Sequence, residues 1–390
     1  MKVVFVSNYF NHHQKPFSNA MYNLLGDNYH FIETEQMEKE RKNMGWGIDE
    51  FPSYVISYNE FIKNNNKCQE LINDADVVIF GSAPFKLLKQ RKKQNKLIFR
   101  YSERPLKKGL QPIKFIPRCI KWNIQNPKNK PIYMLCASAY TASDYKKFGL
   151  FKGKTFKWGY FPKVKVYDDI GNLIKNKEKN SIIWVARFID LKHPEIAIKL
   201  AERLKREGYN FEIKMIGNGQ LLPNVLQKTA ELGLEDCVKI LGAMSPEEVR
   251  SHMENSEIHI FTSDRNEGWG AVLNEAMNSA CVPVASHAIG SVPFLIEDGV
   301  NGLTYKDGDF EDFYSKVKFL LDNPDKRQEI GENAYQAMIN EWNAENAAKK
   351  FLYLAESFFE KGKVETKFEK GVCSKAKILK DDWYNGYIIC

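Results

Sequence analysis

Long apolar runs are missing from this chain of 390 residues. No stretch reaches the roughly 18 apolar residues that a spanning helix needs, so no transmembrane segment is expected. Paired cysteine motifs are missing too. Cys68, Cys119, Cys136, Cys237, Cys281, Cys373 and Cys390 form no Cys-x-x-Cys pair and no His/Cys cluster. A scattered, odd-numbered set points to a reducing cytoplasm and away from structural zinc. The opening Met1-Lys-Val-Val-Phe-Val-Ser-Asn-Tyr-Phe10 lacks a small-residue cleavage site and soon turns polar, which is unlike a signal peptide. No internal repeat or low-complexity tract stands out. Acidic residues are nearly absent from 84–165, where 22 Lys or Arg face only Glu103 and Asp144. That segment carries +20. The whole chain carries +8, so the remainder carries −12. A basic half of this kind implies an anionic partner: nucleic acid, anionic lipid or a phosphorylated glycolipid. RNA-binding strands with paired stacking aromatics are not found, so nucleic acid is not the expected partner.

What is present is a repeated alternation of short apolar strands and helices. The length suits two domains of roughly 150–200 residues, and 43% hydrophobic residues is ordinary for a globular protein. Strands are expected at 2–7, 29–33, 76–81, 96–101 and 131–137, with a helix over 17–25. The polar stretch 163–180 reads as an interdomain linker. Strands then recur at 181–188, 211–216, 237–241, 257–262, 281–285 and 303–305, separated by helices, and three helices follow over 309–361. Strands alternating with helices indicate parallel sheets covered on both faces. The expected class is therefore α/β, with two doubly wound domains.

The chemistry concentrates in Glu267-Gly-Trp-Gly-Ala-Val-Leu-Asn-Glu275. An apolar strand precedes it, and a helix and the Cys281-Val-Pro-Val-Ala285 strand follow. A turn holding two glycines at a helix start lets backbone N–H groups approach an anion, such as a pyrophosphate. Glu267 falls at the carboxyl end of a strand, where open α/β sheets bind ligands. Glu275 lies further into the helix, within reach of a second polar group such as ribose hydroxyls. The strand 181–188 ends in Ala186-Arg187-Phe188, with Lys192 four residues on. Arg can fork two phosphate oxygens and Lys adds a point charge. Met215-Ile-Gly217-Asn-Gly219 is an apolar strand entering a tight turn. It lacks the third glycine of a dinucleotide fingerprint, so NAD is not expected.

These segments resemble the retaining glycosyltransferases of family 4 (glycosyl transferases group 1), which have the GT-B fold of two Rossmann-like domains facing a cleft. The match lies in the Glu-x7-Glu pair, Glu267 and Glu275, and in Arg187 and Lys192. It also lies in the Gly217-x-Gly219 turn and, in backbone terms, in Leu241-Gly242-Ala243-Met244. Ala186 and His193 stand where the family's cation segment has glycines. The resemblance implies an acceptor domain 1–165, a nucleotide-sugar domain 166–345 and a crossover helix and tail 346–390 returning to the first domain. It implies transfer of a sugar, with retention, from a nucleotide diphosphate sugar (UDP favoured, GDP also open) to a hydroxyl of a glycan or lipid-linked glycan, as in cell-surface polysaccharide synthesis. Arg187 and Lys192 would neutralise the diphosphate, helped by amides over Gly268, Trp269, Gly270, Ala271 and Val272. Glu267 would hold sugar hydroxyls and stabilise the cationic transition state. Glu275 would hold the ribose, and Gly217, Gly219, Gly242 and Met244 would line the donor. Neither a cofactor nor a metal is implied, since the two cations replace it and no Asp-x-Asp pair lies in a suitable loop. The expected location is the cytoplasm, with the inner face of the membrane open.

In the first domain the loop Ser7-Asn-Tyr-Phe-Asn-His12-His13-Gln14 has none of the glycines many relatives carry there. His12, His13 and Gln14 offer side-chain hydrogen bonds on the acceptor side instead. Glu103 either pairs with a neighbouring cation or takes the acceptor proton, a task His13 could also perform. Residues 105–128 interleave isoleucines with lysines around Pro112 and Pro117. They fit a kinked interfacial element or an ordinary helix with a solvated basic face. Two other functions fit the same residues: a sugar-nucleotide epimerase or phosphorylase of the same fold, and a non-catalytic binder of anionic lipid or nucleic acid.

Overall fold

In the computed structural model, residues 1–38, 47, 48 and 50–385 are described. The chain divides into two units. One is Met1–Lys163 with Asn343–Lys380; the other is Val164–Trp342 with the stretch from Asp381 onward.

The first unit is built on β1 (Val3–Ser7), β2 (Tyr29–Glu33), β3 (Val55–Ile56), β4 (Val77–Phe80), β5 (Leu97–Ser102), β6 (Ile132–Cys136) and β7 (Thr155–Lys157). Their order is β3-β2-β1-β4-β5-β6-β7, and every pair is parallel. Val3, Val4, Val6, Val77, Val78 and Phe80 are wholly buried. Such two-sided burial explains continuous apolar runs in place of alternation. β3 is only two residues long, too short to leave a pattern in the sequence. Helix Ala344–Lys361 starts at Asn343, whose side chain accepts from the Asn346 amide, and ends at Gly362 with φ +69°. Its Phe351 packs on Phe99, at 5.1 Å between ring centroids, and on Phe17 of helix Lys15–Leu25, at 6.3 Å.

The following segment pairs antiparallel with β7. The Lys157 amide donates to the Ser374 carbonyl (2.8 Å), the Cys373 amide to that of Lys157 (2.9 Å) and the Ala376 amide to that of Thr155 (3.1 Å). An open strand edge is thereby covered.

The second unit is built on β8 (Ser181–Val185), β9 (Glu212–Ile216), β10 (Val238–Gly242), β11 (Ile258–Phe261), β12 (Val282–Ser286) and β13 (Leu303–Tyr305). The parallel order is β10-β9-β8-β11-β12-β13. Ile182, Trp184, Leu200, Ile213, Ile260, Val284 and Phe313 belong to one core. From Asp381 the tail lies in this unit: the Tyr384 hydroxyl donates to the Thr304 carbonyl on edge strand β13 at 2.5 Å. The sequence reading had assigned the whole of 346–390 to the first unit. Residues 386–390, including Cys390, lie outside the described residues.

The stretch 163–180 is more than a linker. It contains helix Ile170–Lys175, and Ile174 packs with Ala280 and Tyr335. The Lys177 ammonium is buried and donates to the carbonyls of Met253 (3.1 Å), Glu254 (3.0 Å), Ser256 (2.8 Å) and Ser279 (2.8 Å). Its pKa is lowered by burial, and Cys281, Glu257 and Glu254 oppose that shift. The lysine ties the entry of this unit to two helix-to-strand corners.

Each sheet reverses its strand order once, between β1 and β4 and between β8 and β11. Doubly wound sheets bind ligands at the carboxyl ends of such strands. The loops that leave β1, β8 and β11 carry the candidate residues.

Candidate functional site

Three loops of the second unit are laced together by backbone hydrogen bonds. The Ala186 amide donates to Ile216 O, Phe188 N to Asn218 O, Leu221 N to Phe188 O and Gly217 N to Gly242 O, at 2.8–3.1 Å. This close contact explains the glycines. A Cβ at Gly217 would lie 1.9 Å from the Ala186 carbonyl oxygen, and one at Gly219 2.4 Å from that of Phe188. Their φ values, +142° and +156°, suit glycine. The Gly217-Asn-Gly219 turn thus shapes the loop that presents Arg187. Arg187 itself is exposed and makes no ion pair or side-chain hydrogen bond with any described residue. Met244 is half-buried, packed near Ile183, Ile216 and Met253, so only its backbone would face a ligand.

The loop after β11 meets the loop after β8 in the same way. The Asp264 amide donates to Leu191 O (3.1 Å), the Thr262 hydroxyl to Lys192 O (2.6 Å) and the Trp184 indole to the Thr262 hydroxyl (2.9 Å). These bonds fix Lys192 beside Glu267, and the two side chains form a direct ion pair. Ser263 Oγ donates to the same Glu267 oxygen at 3.2 Å. The resemblance implies separate tasks for the two charges; in the structure they pair with each other. Gly270, with φ +80°, sits where a Cβ would fall 2.3 Å from the Phe261 ring.

Trp269 is expected to offer its backbone amide. Its side chain is wholly buried, donates to Asn274 Oδ1 at 2.9 Å and lies 6.0 Å from the Trp342 ring. It anchors the loop in the core, leaving only its backbone for a donor. Gly268 is buried, while Ala271 and Val272 are half-buried at the start of helix Val272–Asn278. Glu275 is half-buried, and burial raises its pKa against the pull of Arg250.

His193 was read only as a departure from the glycine pattern. It adopts the left-handed conformation, φ +48°, that glycine takes without strain. Nδ1 lies 2.9 Å from Glu195 Oε1, and Nε2 lies 3.6 Å from Asp264 Oδ2. The Glu195 hydrogen bond raises the His193 pKa. His193, Asp264 and Ser263 are site neighbours that the motifs did not mark, since each meets its partner only through the fold.

In the first unit, Asn11 closes the loop that has no glycines. Its Oδ1 accepts from the amides of His13 (2.9 Å) and Gln14 (3.3 Å), and Gln14 Oε1 accepts from the Asn11 amide (3.2 Å). Those amides are spent inside the loop and form no anion cradle. The His12 and His13 rings lie 3.8 Å apart, and His13 stacks on Tyr160 at 5.6 Å. Burial, then the neighbouring His12, lowers the His13 pKa to about 3. His13 is therefore neutral at pH 7 and is not a phosphate-binding cation. Glu103 accepts from Tyr160 Oη (2.5 Å) and pairs with Lys107 (2.5 Å). Arg104 pairs with Asp144, both buried, at 3.4 Å. Both acids of the basic segment are thus paired with cations. Among the described residues no group of three or more His, Cys, Asp or Glu side chains is placed to hold a metal ion, and no helix is long and apolar enough to cross a membrane.

Residues 168–337 match the family model described as "Glycosyl transferases group 1". That segment lies within the second unit, which resembles a group 1 glycosyl transferase domain. The chain is 31% identical over 153 residues, 39% of each chain, to alpha-D-kanosaminyltransferase of Streptomyces kanamyceticus. It is 34% identical over 133 residues to the amylovoran biosynthesis glycosyltransferase AmsK of Erwinia amylovora, 33% of this chain and 32% of that one. It is 31% identical over 148 residues to the capsular polysaccharide biosynthesis glycosyltransferase CapH of Staphylococcus aureus, 37% of this chain and 39% of that one. These matches span about a third to two-fifths of the relatives' own lengths. In fold, 92% of this chain superposes on all of Anabaena Alr3699/HepE in complex with UDP, with TM-score 0.68 and 14% identity. It likewise covers all of the lipopolysaccharide outer core galactosyltransferase WaaB with 93% of its length, TM-score 0.66 and 16% identity. The GT-B expectation of two Rossmann-like parallel-sheet units holds.

Proposed function

We propose that this protein transfers a sugar, with retention of configuration, from a nucleotide diphosphate sugar to a hydroxyl of a glycan or lipid-linked glycan in surface polysaccharide synthesis. The observation that carries the reading is the Lys192–Glu267 ion pair at the β8/β11 switch point, with Arg187 in the loop that leaves β8, inside the segment that matches the group 1 family model. Arg187, exposed and without a counter-ion, takes the diphosphate first. The diphosphate then draws Lys192 from Glu267. The freed carboxylate turns to the sugar, where it orients hydroxyls and stabilises positive charge developing at the anomeric carbon. Glu275 receives the ribose, whose hydroxyls can donate to its half-buried carboxylate. Two protein cations supply the charge that a metal would otherwise bring, so the reaction needs none. UDP is the favoured nucleotide, because the neighbour HepE was solved with UDP and with UDP-glucose.

On the acceptor side, the Glu103–Tyr160 hydrogen bond and neutral His13 offer two routes for the acceptor proton. The test is release of nucleoside diphosphate from a panel of UDP-, GDP- and ADP-sugars, with and without glycan acceptors and with chelator throughout. NMR of the product reads the anomeric configuration. Inversion at that carbon, or turnover that stops with chelator, would refute the mechanism. Uridine-sugar turnover without any acceptor would favour an epimerase.

A further inference from the structure

Helix Pro112–Gln125 of the first unit has two apolar faces, and only one is covered. On the inner face Phe115 and Trp122 pack on Phe148, at 5.0 and 4.6 Å, and Trp122 meets Tyr145 at 5.3 Å. The outer face carries Ile113, Ile116, Ile120 and Ile124, which are 93%, 68%, 58% and 69% exposed. Their spacing, i, i+3, i+7 and i+11, makes a single stripe along the helix. Scattered exposed apolar residues are ordinary; an aligned row of isoleucines is not.

The charges beside the stripe are all of one sign. The helix contains Lys114, Arg118 and Lys121 and no acid. At about 100° per residue these three cations fall together on one flank of the isoleucines. At the entrance to the helix, Arg104, Lys107, Lys108, Lys114 and Arg118 line a cavity of about 330 Å³. Arg104 and Lys107 are paired with Asp144 and Glu103, while Lys108, Lys114, Arg118 and Lys121 make no ion pair with any described residue.

We propose that this helix lies in the surface of an anionic lipid bilayer, its isoleucines at the headgroup–acyl boundary and its cations, with the adjoining basic cavity, on lipid phosphates. Charge complementarity chooses the occupant. A surface-lying helix combines an apolar face with a cationic flank, and anionic lipid supplies both partners. A second copy docked antiparallel through the same stripe would bring the two cationic flanks side by side, a like-charge arrangement that disfavours that two-fold dimer. The inference stands apart from the donor chemistry, since none of these residues belongs to the second unit.

Flotation of the full chain with vesicles tests it, comparing phosphatidylcholine alone with equal parts phosphatidylcholine and phosphatidylglycerol. The wild type should float with the anionic vesicles and stay behind with the neutral ones. The triple variant Ile113→Ser, Ile116→Ser, Ile120→Ser should lose at least about tenfold in partitioning, since each change removes an apolar side chain from the boundary. The variant Lys114→Gln, Lys121→Gln should lose binding and show a weaker salt dependence. All five side chains are exposed, so both variants should keep the wild-type melting temperature. Absence of wild-type flotation at low salt would overturn the proposal, and so would isoleucine variants that float like wild type. Light scattering that finds a dimer dissolved by the isoleucine substitutions would also overturn it, in favour of a second copy.

Discussion

Arg187 is the clearest single-residue test of the donor site, because no described residue pairs with its side chain. Arg187→Ala removes a charge-assisted bond worth roughly 1.5–3 kcal/mol. UDP affinity measured by titration calorimetry should fall about tenfold or more, with the melting temperature unchanged. Lys192 and Glu267 behave differently because they begin as a pair. Glu267→Gln frees Lys192 for the diphosphate, so nucleotide affinity should rise severalfold. Turnover should fall about a hundredfold, because the stabiliser of developing charge is gone. Affinity and turnover moving down together would contradict the pair-opening step. His193 gives a pH test. Its folded pKa is raised by Glu195, so the folded state holds the proton more tightly than the unfolded chain. That contribution is complete below about pH 6.5, the ordinary histidine value, and is lost as pH rises through the folded pKa. Thermal melts of His193→Gly should lack this slope and should gain from relief of the left-handed strain. Glu267 and Arg187 were legible in the sequence because they sit at fixed distances from strand ends. The bond between Lys192 and Glu267 was not, since 75 residues separate them.

At the scale of the element, the site is a set of corners held by backbone contact. Gly217→Ala would drive a Cβ into the Ala186 carbonyl and force a φ of +142° on alanine. Such strain costs about 1–3 kcal/mol. Chemical denaturation should show that loss, and Arg187 should be displaced with it, weakening nucleotide binding in the folded fraction. Gly270→Ala should act likewise through Phe261. Most of the longer strands were readable to within a residue or two because two-sided burial demands unbroken Val, Ile and Phe, although the strand expected over 181–188 ends at Val185. Helix Ile170–Lys175 was not: its one buried apolar side chain, Ile174, gives no period to detect. The burial of the Trp269 ring, which points into the core and meets Phe294 and Trp342, leaves no period in the sequence either.

For the molecule as a whole, two doubly wound sheets were visible in the alternation of strands and helices, while the return of the last helix to the first unit was implied only by the family resemblance. The behaviour of the tail was not visible, because Lys-rich sequence carries no sign of a strand partner. Removing residues after Lys361 should leave β7 with an open edge. The truncated protein should aggregate on size exclusion, while a chain ending after Lys380 should keep the first unit's edge covered. The same pairing sets an order of events during synthesis. Thr155 waits for Ala376, which is 221 residues later. At the usual rate of translation that interval lasts on the order of ten to forty seconds. Until then the first unit has an unfinished edge, and for most of the interval it also lacks helix Ala344–Lys361, while residues 164–342 of the second unit are made and can fold. The first unit is thus completed only after most of the second, whose own tail from Asp381 follows, and for that interval its sheet is a substrate for chaperones.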